Sequence, residues 1–404
     1  MQADPLSVGW ASPTIPIEGG RCPPYTGNHL VSFIISTHNR RDVLLGTLAE
    51  LQRHEGEILV VDNASADGTA DAIRREFPRV RVFALKENLG PCAKNVAIAQ
   101  ASGKYVVFLD DDSFPTGDSI PKMVEKFAAN PRLGAVAFGV DLAGGGCECS
   151  AYPQVFAGCG AGLRREAIEQ VGGLPDDFFM AAEEYDLSLR LLDGGWEIQR
   201  CEEVRVRHLK TPGARYPGRI MRLDVRNNLT LIGRYFPDEW VLPFAADWAR
   251  RYRLLALANG RMREYYAGLA QGMARLATAK ERRPVSAETF EQFAKVQEIE
   301  NRMRERAGEW GWRRVLLIDL GKNMLPYWRA AERCGLEVVG IADAKLGGRG
   351  FGYRGAKIVG DEEGARLRFD GAVVSNLSPV HARQRREFWA GRTSRDVVDL
   401  FAAA

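Results

Sequence analysis

The chain has 404 residues, 46% hydrophobic and 26% charged, the proportions of globular domains rather than of a disordered chain. Lys+Arg (55) against Asp+Glu (52) leaves a net charge of +3, too small to argue for a nucleic-acid partner. No apolar run reaches the ~18 residues of a membrane-spanning helix, and the first twenty residues lack the basic start and apolar centre of a signal peptide. Seven cysteines form no even framework, and Cys147 and Cys149 make a C-x-C with no second pair to complete a zinc site. Reduced thiols and a cytoplasmic location are expected.

Residues 1–28, rich in Pro and Gly without periodicity, are expected as an irregular N-terminal arm. "LVSFIIS" (30–36) then predicts a buried strand and "RDVLLGTLAELQRH" (41–54) a helix. The alternation continues through "EILVVD" (57–62), "ADAIRREF" (70–77), "VRVFAL" (80–85), the helical "CAKNVAIAQA" (92–101) and "YVVFLD" (105–110). Strands alternating with helices predict an α/β, doubly wound, mostly parallel sheet. Ligands bind such sheets at the carboxyl ends of the strands, and four consecutive strand ends here carry polar clusters: "STHNR", "DNASADGT", "ENLG" and "DDDS". The beat loosens at "LGAVAFGVDL" (133–142), and two short strands are expected at the end of the stretch that closes on "VRVRH" (204–208). Residues 219–306 read as a helical section. From 313, "RRVLLIDLGKN" and "LEVVGIADA" open a further strand–helix–strand unit.

Three adjacent carboxylates, Asp110, Asp111 and Asp112, close the run "VVFLDDD". Like charges this close repel unless a positive partner sits among them. Hard oxygen ligands at a sheet edge suit Mg²⁺ or Mn²⁺ bridging phosphates. In "VVDNASADGT", Asp62 ends the strand, where it is placed to accept hydrogen bonds from a base or ribose. Gly68 reads as a turn residue and Thr69 as a helix N-cap. "AAEEYDLSLR" puts Glu183, Glu184 and Asp186 in the first turn of a helix, where the dipole favours acids. Phe178, Phe179 and Met180 upstream would shield a carboxylate and raise its pKa into the range of a general base. His208, at a strand end in a chain with an expected metal, is a candidate ligand.

"SFIISTHNR", "VVDNASADGT", "ENLGPCAKN", "FLDDD", "GAGLRREAIEQVGGLPDDFFMAAEEYDLSLRL" and "VRH", in this order over roughly 30–235, resemble the inverting glycosyltransferases of family 2 and their GT-A nucleotide-sugar-binding fold. The resemblance implies nucleotide contacts from Thr37, Asn39 and Arg40, base reading by Asp62, and a donor-binding segment with Asn88, Lys94 and Asn95. It places Asp110 and Asp111 beside the donor, with Asp110 facing ribose and metal, and makes Asp112 a direct ligand of Mn²⁺ or Mg²⁺. His208 completes the metal or diphosphate site, and Glu184 falls at the catalytic base, with Glu183 as the other carboxylate of the pair.

The expected organisation is an arm (1–28), a GT-A domain (29–235), a helical section (236–310) and a small Rossmann-like domain (311–404). "IDLGKN" has one glycine where a dinucleotide fingerprint wants three. The Q-x-x-R-W motif and membrane helices of the family's processive synthases do not appear, so transfer of a single sugar is expected. The resemblance implies a UDP-, GDP- or dTDP-linked sugar as donor, and a sugar, lipid-linked or small-molecule hydroxyl as acceptor. An Arg/Lys series from Arg205 to Arg226 suits a donor diphosphate or a lipid phosphate at a membrane surface. The alternatives are a nucleotide-sugar-binding scaffold without turnover, or a sugar-phosphate nucleotidyltransferase.

Overall fold

A computed structural model of the chain describes residues 17–18, 29–212, 216–278 and 282–402. The expected arm lies outside the described residues except for Ile17–Glu18. The chain divides into two compact units, residues 1–146 with 156–211 and residues 147–155 with 212–404.

The first unit is a mixed α/β sheet. Its strands are β1 (Ile17–Glu18), β2 (Val31–Thr37), β3 (Glu57–Asp62), β4 (Arg81–Leu85), β5 (Tyr105–Asp110), β6 (Ser113–Pro115), β7 (Leu133–Leu142), β9 (Ala161–Arg164) and β10 (Glu197–His208); β8 (Cys147–Glu148) falls in the second unit. The sheet order is β1-β4-β3-β2-β5-β9-β7-β10-β6. Strands β4, β3, β2 and β5 run parallel, so their carboxyl ends share one edge. Alternation decides the layers: Ile34, Val61, Val106 and Phe108 enter the core on one face. Phe33, Val60, Val107 and Leu109 enter the core on the other. Helices α1 (Arg41–Leu51), α2 (Thr69–Glu76), α3 (Lys94–Ile98), α4 (Ser119–Ala129), α5 (Arg165–Val171) and α6 (Glu183–Asp193) complete the unit.

Three local expectations change. Pro91 opens a 3₁₀ turn at Gly90–Ala93, which leaves α3 only Lys94–Ile98. Helix α2 begins at Thr69 itself, with left-handed Gly68 ahead of it; Asp67 Oδ1 accepts the Thr69 amide at 3.1 Å. The two short strands expected before His208 are one strand, β10, whose register slips between Cys201 and Arg205.

The second unit contains α7 (Pro217–Tyr235), α8 (Asp238–Ala258), α9 (Met262–Thr278), α10 (Ala287–Ala294) and α11 (Val296–Trp310). Helix α9 lies tight against α7 because Gly268 and Gly272 face it: a Cβ on Gly268 would stand 2.4 Å from the Arg222 carbonyl oxygen. A second sheet follows, built from β11 (Arg314–Ile318), β12 (Glu337–Ala342), β13 (Gly352–Tyr353), β14 (Ala356–Val359), β15 (Gly371–Val374) and β16 (Asp396–Val398), with α12 (Met324–Arg333), α13 (Asp361–Ala365) and α14 (Pro379–Ala390). Its order is β13-β14-β12-β11-β15-β16, parallel from β14 to β16, as a Rossmann-like unit requires. Among the described residues, no helix is long and apolar enough to cross a membrane.

Candidate functional site

The three aspartates are neutralised by two protein cations. Arg40, at the end of β2, sets Nε 3.2 Å from Asp111 Oδ1 and Nη2 3.0 Å from Asp112 Oδ2. Lys94, 1% exposed at the start of α3, sets Nζ 3.3 Å from Asp110 Oδ1. The positive charge this run demands is thus supplied in part by the fold itself. The three carboxylates then diverge. Asp111 accepts the Thr37 hydroxyl at 2.8 Å, and its carbonyl accepts that of Thr47 at 2.7 Å. Burial pushes its carboxyl up to about 6, against the pull of Arg40 and Thr37. Asp112 accepts the Thr211 amide at 2.8 Å on Oδ2, while Oδ1 lies 3.2 Å from His208 Nε2. Burial opposes its charge, yet the hydrogen bond from His208, the Thr211 amide and Arg40 hold it down at about 2. Asp110 alone of the three keeps its side chain 30% exposed.

Several sequence candidates hold partners within the protein. Thr37 and Asp111 are buried partners of each other, and the bond between them braces the loop. Asn95 is likewise occupied: Nδ2 donates to Leu174 O and Asp176 Oδ1, each at 2.8 Å, and Oδ1 accepts the Leu174 amide. It ties α3 to the turn that leads into α6. Asn88 Oδ1 accepts the Gly90 amide at 2.8 Å. Arg40 is the counter-ion of two aspartates and also donates to Thr211 O at 3.3 Å. Asn39, exposed and left-handed at φ 52°, accepts the Ala66 amide at 2.7 Å. Asp62 is buried at the strand end and accepts the Ser65 amide at 3.1 Å. Asn39 and Asp62 thus sit together where β2 and β3 end.

The acidic pair opens α6 after a strained loop. Phe179, Ala181 and Ala182 hold φ of 64°, 74° and 67°, which non-glycine residues adopt at a cost, often at functional sites. The loop is held close because Gly90 has no side chain: a Cβ there would stand 2.3 Å from the Phe179 carbonyl oxygen. Glu183 is 5% exposed with Oε2 lacking a hydrogen-bond partner. Burial first, then the Glu184 charge, raises its pKa well above the usual glutamate value. Glu184 is half-buried, and burial raises its pKa too, against the opposing pull of the helix amide and Lys94. Its Oε1 accepts the Gly158 amide at 3.2 Å, while the Gly158 carbonyl accepts Lys94 Nζ at 3.4 Å. One residue, Gly158, therefore links the carboxylate pair to the Lys94–Asp110 pair through its amide and its carbonyl. A Cβ at 158 would stand 2.8 Å from Glu184 Oε1.

Asp110, Cys159 and His208 each bring a metal-ligating atom within 4.8 Å of the other two. The oxygen and nitrogen donors of Asp110 and His208 suit a divalent cation of the Mn²⁺ or Mg²⁺ kind, and Cys159 adds a sulfur. Gly158, Cys159, Thr211 and Gly90 were not found from sequence. Only the glycine in "ENLG" carried a local signal, as a turn residue.

Residues 32–143 match the model of "Glycosyl transferase family 2". The succinoglycan biosynthesis protein ExoO of Rhizobium meliloti is 34% identical over 101 residues, 24% of this chain and 29% of that protein. The poly-beta-1,6-N-acetyl-D-glucosamine synthase of Staphylococcus epidermidis is 36% identical over 113 residues, 26% of this chain and 27% of that one. The chain thus spans under a third of the length of these curated relatives. A mannosyltransferase from Pyrobaculum calidifontis, solved with GDP-Man and Mn²⁺, overlays at a TM-score of 0.42 and 20% identity, covering 80% of this chain and 91% of that one. The matched segment contains β2 to β7 and, with them, Arg40, Asp62, Lys94 and the three aspartates. Over residues 32–143, then, the chain is similar to the glycosyltransferases of family 2.

Proposed function

We propose that the chain is an inverting, metal-dependent glycosyltransferase that moves one sugar from a nucleoside-diphosphate sugar to an acceptor hydroxyl. The observation that carries this reading is Gly158, whose amide and carbonyl join half-buried Glu184 to the Lys94–Asp110 pair at the carboxyl edge of the sheet that holds the family 2 match. The curated relatives named above act in polysaccharide assembly, which supports a glycan or glycoside product.

Asp110, Asp112 through Oδ1, and His208 would hold the cation, and Asn39 and Asp62 would receive the nucleoside where β2 and β3 end. A divalent cation held there supplies positive charge opposite the departing diphosphate. Arg40 keeps Asp112 ionised and fixed. Glu184 takes the proton from the acceptor hydroxyl, which attacks the anomeric carbon from the face opposite the leaving group. We assign the base to Glu184 because it keeps access to solvent, whereas Glu183 is sealed behind it. Glu183, with its pKa raised further, stays protonated beside it and spares the pair a second negative charge. Reaction in the cytoplasm, with peripheral contact to a membrane carrying a lipid-linked acceptor, completes the proposal.

The test is transfer and donor binding measured side by side on wild type and Glu184→Gln. Retained donor binding with transfer abolished supports the base assignment. Donor binding without turnover in the wild type would assign a sensor or scaffold instead.

A further inference from the structure

We propose that Cys159 is a ligand of the donor-site cation, which gives that site a sulfur donor and a preference for softer divalent ions over Mg²⁺. This rests on the functional reading above. Cys159 is 5% exposed, and its ligating atom lies within 4.8 Å of those of Asp110 and His208. Its placement is fixed by the same residue that fixes the other two. Ser113 Oγ donates to the Cys159 carbonyl at 2.8 Å and accepts the Asp110 amide at 2.9 Å, and Ser113 is the register partner of His208 in the β6–β10 pairing. The hairpin that carries Cys159 comes up against β10 because residue 160 is glycine: a Cβ there would stand 2.4 Å from Val206 Cγ1. Three ligating residues from three separate chain segments are thus clamped on one serine.

Mg²⁺ takes oxygen ligands almost exclusively, while thiolate is a soft donor favoured by later divalent metals. On binding, the thiol proton is released to solvent and the thiolate meets the cation.

The experiment is titration of the full chain with Co²⁺, Cd²⁺ and Mg²⁺, using calorimetry together with the absorption spectrum of the Co²⁺ form. Wild type, Cys159→Ser, Cys159→Ala and Asp110→Asn are compared, with thermal melts to confirm folding. The expected result is a sulfur-to-cobalt charge-transfer band in wild type that both Cys159 variants lose. Cd²⁺ affinity should fall in them by about 10-fold or more, the least a ligand should cost when outer-shell partners already cost that much. Mg²⁺ affinity should barely change. A wild-type cobalt form without a sulfur band overturns the inference even if neither Cys159 variant folds. Metal binding that needs Asp110 but is indifferent to Cys159 overturns this inference alone. No binding of any divalent ion by wild type overturns both it and the metal clamp of the proposed function.

Discussion

The chain contains two sheets, each with a run of parallel strands whose carboxyl edge carries acidic residues, and it closes one edge while leaving the other partly open. In the second unit, Arg385 sets Nε 2.8 Å from Asp319 Oδ1 and Nη2 2.6 Å from Asp361 Oδ1, with all three side chains under 20% exposed. Asp343, just past the end of β12, accepts the backbone amides of Leu320, Lys345 and Leu346 within 3 Å. These carboxylates hold the loops together. In the first unit Arg40 closes Asp111 and Asp112 in the same manner, but Asp110 stays accessible above Lys94, and Glu184 has one backbone amide and access to solvent. An acidic strand end becomes a candidate site only where the fold leaves a carboxylate partly unspent.

The strongest way to break this comparison is at Glu184. Glu184→Gln should lower transfer by about 10²- to 10⁴-fold, the range of general base catalysis, in a steady-state sugar-transfer assay, with little change in donor affinity. Arg40→Met should cost about 3–5 kcal/mol in denaturant unfolding, because it leaves Asp111 and Asp112 buried without their cation. Arg385→Met should cost about 2–3 kcal/mol through lost charged hydrogen bonds, yet leave transfer per folded molecule unchanged. A loss of turnover there would show that the second edge works in the reaction after all. Gly90→Ala, at φ 66° and against the Phe179 carbonyl, should cost about 1–3 kcal/mol and lower transfer by displacing the loop before Glu183.

The pH profile sharpens the same contrast. A base whose pKa is raised by burial is protonated, and inactive, up to a higher pH than an ordinary glutamate. Transfer should therefore fall as pH drops through a value above about 4.3. Asp112, depressed to about 2, works the other way on stability. Its contribution is complete above the unfolded aspartate value of about 3.9 and is lost as pH falls towards 2. An acid limb at or below about 4.3 would remove the burial argument for Glu184.

Much of the sheet was legible because β2, β3 and β5 are short apolar runs whose alternate residues enter both cores. The register slip in β10 hid a single strand as two, since it breaks the alternation between Cys201 and Arg205. The site was legible where chemistry is local: three aspartates in a row, an acidic pair at a helix start, a histidine closing a strand. The sequence could not separate working carboxylates from bracing ones. Thr37 meets Asp111 across 74 residues and Asn95 meets Leu174 across 79; only tertiary structure brings such partners together. Gly158 and Cys159 sit in a small-residue turn with no pattern to mark them.

The most direct test of the open edge as a donor site is calorimetric titration of wild type and Asp112→Ala with UDP, GDP and dTDP, each with and without Mn²⁺. The expected result is binding of one nucleotide that requires both the metal and Asp112. Binding of all three that is indifferent to Mn²⁺ and to Asp112, or of none, would contradict a metal–diphosphate clamp at this edge.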